Sequence, residues 1–79
     1  MINDKQDRAM FVSFSIEQYA KAKNMTIEEA VSLFERYGIA KHFYDFYDVL
    51  HTYGHLWLIE EIDKMINDRK KWARYITAV

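Results

Sequence analysis

Apolar residues recur at three- and four-residue intervals along nearly the whole chain, and the pattern breaks at Asn24-Met25-Thr26, at Gly38 and at Thr52-Tyr53-Gly54. This spacing puts them on single faces of successive α-helices. A first helix is predicted from about Arg8 to Lys23, with Val12, Ser15, Ile16, Tyr19 and Lys23 along its inner stripe and Phe11 and Ala20 beside it. Met10 and Phe14 fall on the flank that carries Glu17 and Lys21, where a second helix covers them or they form an exposed apolar ridge. Thr26 and Glu29 have the spacing of a capping box, hydroxyl to an orphan amide and carboxylate back to the cap amide. A second helix therefore starts at Ile27, with Ala30, Val31, Phe34 and Tyr37 on the same side as Ile27 and with Glu28, Glu29, Glu35 and Arg36 outside. Met25, just before the cap, is placed to pack onto Ala30 or a neighbour. Gly38 is the natural left-handed C-cap.

From Ile39 the stripe Ile39, Phe43, Phe46, Tyr47 and Leu50 predicts a third helical segment, with Lys41, Asp45 and Asp48 opposite and room for a kink among the aromatics. A last helix is predicted to start near His55 or Leu56 and to run at least to Lys70. Leu58, Ile62, Met65, Ile66, Arg69 and Ala73 define its inner face, and Leu56, Trp57, Trp72 and Tyr75 lie off it. Glu60, Glu61 and Asp63 come early in that helix and Arg69, Lys70 and Lys71 late, the order a helix dipole favours. The expected architecture is all-α, a compact single-domain bundle of four to five short helices over residues 1–79. Its core spans about 8–70, with a polar N-terminal tail at 1–7 and a basic, aromatic extension at 71–79.

Composition narrows this further. At 79 residues the chain fits one small core, and 51% hydrophobic with 16% aromatic content is far more than a disordered segment carries. The 11 basic and 12 acidic residues leave a formal charge of -1, so no global field draws nucleic acid or an anionic membrane. Cysteine is absent, no apolar run approaches the length of a membrane span, and the start Met1-Ile2-Asn3-Asp4-Lys5-Gln6-Asp7 has no apolar core. A cytoplasmic protein without membrane contact is expected.

Candidate chemistry is sparse. His51 and His55 have the i, i+4 spacing that can chelate zinc, but Gly54 lies between them and ends the helix, and Asp45 and Asp48 sit on a different side from His42. The better role for His51 is to bond carbonyls at a helix C-terminus. Adjacent Glu60 and Glu61 diverge by about 100° on a helix and form a solvated face. No nucleophile elbow and no glycine-rich phosphate loop occurs, so neither catalysis, a metal nor a cofactor is expected. Lys70, Lys71, Trp72 and Arg74 mix basic and aromatic groups as a nucleic-acid contact would, although the dipole alone accounts for the basic residues. A helix-turn-helix over residues 26–50 would place Asp45 and Asp48 against DNA phosphates.

The strings Phe14-Ser15-Ile16-Glu17-Gln18-Tyr19, Leu33-Phe34-Glu35-Arg36-Tyr37-Gly38-Ile39, Tyr47-Asp48-Val49-Leu50-His51-Thr52 and Ile59-Glu60-Glu61-Ile62 carry a resemblance. On them the chain resembles domain-of-unknown-function family 3791, small bacterial proteins, over roughly Phe11 to Ile66, and the Tyr-Asp-Val-Leu-His-Thr string is the most specific part. The family offers no catalytic residues to carry over. Its members are often encoded next to a larger protein resembling ADP-ribosyltransferases, which implies a toxin and a small neutralising partner. The chain departs from the family pattern at Tyr53-Gly54-His55-Leu56-Trp57, where a more polar stretch is usual, and in its basic tail.

The expected function is a non-enzymatic protein-protein interaction module that occludes a partner's cleft, with Phe14, Tyr44, Tyr53 and Trp57 as anchors and Glu17, Asp45 and Asp48 as a polar rim. A homodimer through the same ridge is the close variant. The alternative is a nucleic-acid-binding regulator using Lys70, Lys71, Trp72 and Arg74.

Overall fold

Two local signals set the path of the chain. The Thr26 hydroxyl accepts from the Glu29 amide at 3.1 Å while the Glu29 carboxylate accepts from the Thr26 amide at 3.1 Å, the reciprocal cap that starts a helix. At the other end of that helix Gly38 sits at φ +65°, the left-handed turn that glycine adopts without a Cβ penalty. The computed structural model describes residues 4–77, with side chains through Trp72. Among the described residues five helices follow in order, α1 (Asp4–Ala22), α2 (Ile27–Arg36), α3 (Ile39–Asp45), α4 (Tyr47–Leu50) and α5 (His55–Thr77). The protein is an all-α single domain in which α1 packs against α2, α3 and α5.

The core is built on Phe34, Phe43, Ile39 and Ile62, all fully buried, with Tyr19, Leu50, Leu58, Met65 and Ile66 around them. Phe11, Val12, Ile16, Met25, Leu33 and Tyr37 pack at its edge, so the predicted inner stripes of α1, α2 and α5 are largely the buried ones. Four details differ. First, α1 begins at Asp4 rather than near Arg8, because Asp4 and Asp7 suit a first turn and the Arg8 Nε donates to Asp4 at 2.9 Å across one turn. Second, Ile27, expected inside, is 47% exposed at the start of α2. Third, Phe46 leaves helical geometry at φ -103°, ψ 23°, which splits the predicted third helix into α3 and α4 and turns its ring out to 53% exposure. Fourth, Lys23 and Arg69, placed on inner stripes, are exposed and act through their charged ends. Ala73 and Tyr75 lie outside the described side chains.

Both charged ends tie helices together. Lys23 Nζ lies 2.5 Å from one carboxylate oxygen of Asp63 while the buried Tyr19 hydroxyl donates to the other at 2.7 Å, joining α1 to α5. Burial first, and then the bond to Asp63, push the Tyr19 hydroxyl well above the ordinary phenol range. The Arg69 guanidinium donates to the Tyr37 carbonyl at the C-terminus of α2. That guanidinium also occupies the space beside Gly38, where an added Cβ would meet Arg69 Nη1 at 2.9 Å. Gly54 has open space around it and serves instead through its carbonyl, which accepts from the Leu58 amide at 3.1 Å as α5 begins.

Two outcomes follow from these contacts. Gly38→Ala is expected to lower unfolding free energy in urea by about 1–2 kcal/mol, the left-handed penalty for a Cβ, while Gly54→Ala leaves it within ~0.5 kcal/mol. For Tyr19, a folded-state affinity for its proton above the unfolded one means stability that is complete below pH ~10 and is lost as pH rises beyond it. Urea midpoints measured between pH 8 and 11 are expected to fall more steeply in the parent protein than in Tyr19→Phe.

Candidate interaction surface

The break at Phe46 leaves the carbonyls at the end of α3 without helical partners, and one side chain from α1 supplies them. Arg8 Nη1 donates to the carbonyls of Tyr44 at 2.7 Å and Asp45 at 3.1 Å, and Nη2 donates to the Asp48 carboxylate at 3.0 Å. Its guanidinium lies 6.0 Å from the Tyr44 ring centroid and 5.6 Å from that of Tyr47. The hydrogen bond to Asp4, reinforced by Asp48, raises the Arg8 proton affinity further. Asp45 is held in turn by Lys41 Nζ at 2.7 Å, and that bond raises the lysine. Asp45 and Asp48 therefore stand at the surface with their charges already paired within the fold. Sequence reasoning missed the role of Arg8 at the α3–α4 break, because the Tyr44, Asp45 and Asp48 groups it reaches there are more than thirty residues away along the chain.

Past this bracket the chain carries an apolar end. Tyr53 and Trp57 stack with ring centroids 4.0 Å apart and planes 16° from parallel. Both are partly open to solvent, and Leu56 between them is 69% exposed. Val49 and Phe46 extend the open apolar side chains back along α4. His51 Nδ1 donates to the Tyr47 carbonyl at 2.7 Å and its ring stacks on Tyr47 at 4.4 Å, the helix-end role expected of it. His42 lies tilted by 40° against Phe46 with ring centroids 4.7 Å apart, and His55 opens α5 in solvent. Among the described residues no three of His, Asp and Glu converge as metal ligands would.

The remaining nominated residues lie elsewhere. Phe14 and Glu17 line a shallow groove made wholly by α1, with Gln6, Ala9, Met10 and Ser13, so the apolar ridge on that helix is open rather than covered. Tyr44 is half-buried beneath Arg8. The structure thus brings Tyr44, Asp45 and Asp48 together around Arg8, pairs Tyr53 with Trp57, and sets Phe14 with Glu17 on a helix face that no residue of 46–57 lines. Lys70, Lys71 and Trp72 are exposed on α5, and Trp72 borders a groove with Glu35, Arg36, Tyr37, Gly38 and Arg69. Arg74 lies outside the described side chains. No helix among the described residues is long and apolar enough to cross a membrane.

A family model described as protein of unknown function (DUF3791) matches residues 10–69. No curated protein and no solved structure matches the chain.

Proposed function

We propose, from the premise that the chain belongs to the DUF3791 family, that it is a non-enzymatic module that binds another protein through the apolar end at residues 46–57. One observation carries this reading. Among the described residues nine large apolar side chains are exposed, and five of them, Phe46, Val49, Tyr53, Leu56 and Trp57, fall within that short stretch. Scattered apolar residues are ordinary on a protein surface, whereas a local concentration of aromatic and aliphatic groups is the usual material of an interface. The stacked Tyr53 and Trp57 rings restrain each other before any partner arrives, which lowers the ordering cost of binding and suits them as anchors. Tyr44, Asp45 and Asp48 form the polar rim, held in place by Arg8 and Lys41.

The partner that the family resemblance suggests is an adjacently encoded ADP-ribosyltransferase-like protein, neutralised in the cytoplasm by occlusion of its cleft. The exposed Lys70, Lys71 and Trp72 support the rival reading, a nucleic-acid contact, more weakly, since cations at a helix C-terminus are accounted for by the dipole.

The test is recovery of partners by the tagged protein from its native host at physiological salt, with and without nuclease, for the parent, Tyr53→Ala/Trp57→Ala and Phe14→Ala proteins. A stoichiometric, nuclease-resistant protein partner is expected with the parent and with Phe14→Ala, and its recovery is expected to fall ~tenfold or more in the double variant. Equal recovery by the double variant refutes the assignment of this surface. Partners released by nuclease replace it with the nucleic-acid reading.

A further inference from the structure

The stretch from Phe46 to Gly54 closes its hydrogen bonds largely on itself. The amides of Val49 and Leu50 donate to the Phe46 carbonyl, His51 to Tyr47, Thr52 to Val49 and Tyr53 to Leu50, and the His51 ring and Thr52 hydroxyl bond carbonyls of the same stretch. Leu50 is its one buried side chain. It continues from α3 at Phe46 and meets α5 where the Tyr53 ring lies on Trp57. Between these junctions Leu50 sits in the core, Tyr47 packs edge-on to Phe11 at 5.5 Å, and Asp48 accepts from Arg8 at 3.0 Å. Two of these three attachments therefore come from α1, at Arg8 and Phe11, neighbours on one helix face. The Arg8 guanidinium spans the α3–α4 break, with the Tyr44 and Asp45 carbonyls of α3 on one arm and Asp48 of α4 on the other, while Asp4 holds it from its own helix. Its side chain is only 16% exposed.

We propose that residues 46–54 open and close on the bundle as one unit and that Arg8 is the latch that holds them closed. A segment with few buried apolar groups and a hydrogen-bond ladder of its own opens below the free energy of global unfolding. Opening parts Leu50 from the core, Tyr47 from Phe11 and Asp48 from Arg8, and leaves the long helices their own hydrogen bonds. Of these attachments only Arg8 is directional. Its planar fork fixes where the α3 carbonyls and Asp48 lie relative to one another, and hydrogen bonds made by a charged group are stronger than neutral ones. Closed, the latch sets α4 against α3 and so fixes the end on which Tyr53 meets Trp57. Arg8 is thereby a positioning residue for the surface at residues 46–57, a role that rests on reading that surface as the partner's. A partner that meets the closed form binds in proportion to the closed fraction and in return holds the latch shut.

Amide hydrogen exchange of the full chain, read by nuclear magnetic resonance with no partner present, tests the proposal. The amides of Val49, Leu50, His51, Thr52 and Tyr53 are expected to exchange faster than those of Phe34 and Ile62, through an opening that low concentrations of urea barely change. In Arg8→Gln they are expected to exchange ~tenfold or more faster than in the parent. Arg8→Lys, whose single ammonium cannot serve both carbonyls and Asp48 together, is expected to fall between the two. The control is Ala30→Gly, which weakens α2 through the helix cost of glycine. It is expected to speed the amides of Phe34 and Ile62 and to leave those of residues 49–53 as they are, whereas a role for Arg8 in global stability alone would make the two variants alike. Protection of residues 49–53 equal to that of Phe34 overturns the opening unit, and exchange there unchanged by Arg8→Gln overturns the latch. Arg8→Lys decides should Arg8→Gln fail to fold. Because no partner enters the measurement, the latch and the assignment of the partner surface fail separately, the second by equal recovery with Tyr53→Ala/Trp57→Ala.

Discussion

A continuous relay of rings joins the first four helices. Tyr19 of α1 packs edge-on to Phe34 of α2 at 6.1 Å, Phe34 to Phe43 of α3 at 6.0 Å, Phe43 onto Phe11 of α1 at 5.7 Å, and Phe11 against Tyr47 of α4 at 5.5 Å. Offset and edge-to-face pairs of this kind add to the apolar area they bury. They also explain why short helices suffice. Neither α3 nor α4 is long enough to be stable alone, and each is held by the Phe11 ring of α1. The Arg8 bracket completes the arrangement by supplying hydrogen bonds where the α3–α4 break would leave carbonyls bare.

The relay also determines what remains outside. A domain of this length buries only ~60% of its unfolded surface, and the core is filled by the relay with Ile39, Ile62 and the aliphatic residues of α5. Phe14, Phe46, Tyr53, Trp57 and Trp72 take no part in it and stand in solvent at considerable hydrophobic cost. They fall into distinct places, the α1 groove, the end at residues 46–57 and the border of the groove near Gly38. The second carries the stacked Tyr53 and Trp57 pair.

What was legible in the sequence was local. Thr26 and Glu29 meet within one turn, Gly38 acts through its own φ, and His51 bonds a carbonyl four residues back, so each could be placed from neighbouring residues alone. The Phe46 break was legible only as room for a kink, because what stabilises it arrives from Arg8, far away along the chain. Ile27 had the right spacing for burial, yet at the first position of α2 it only borders an open groove beside the end of α1, and the inward stripe begins effectively at Ala30. Lys23 and Arg69 fell on apolar stripes because their stems follow the helix period, while their charged ends reach out to Asp63 and to the Tyr37 carbonyl. Tyr53 and Trp57 stand among the anchors read from the sequence, but their stacking across the turn at Gly54 is something no periodicity describes.

The exposed rings at residues 46–57 stand outside the relay and are surplus to the fold. Urea unfolding of Tyr53→Ala/Trp57→Ala beside Phe34→Ala measures it most directly. A loss below ~2 kcal/mol is expected for the double variant, against ~3–5 kcal/mol for removal of one ring from the relay. A double variant as damaged as Phe34→Ala would contradict it, since those rings would then belong to the core and not to a surface kept for a partner.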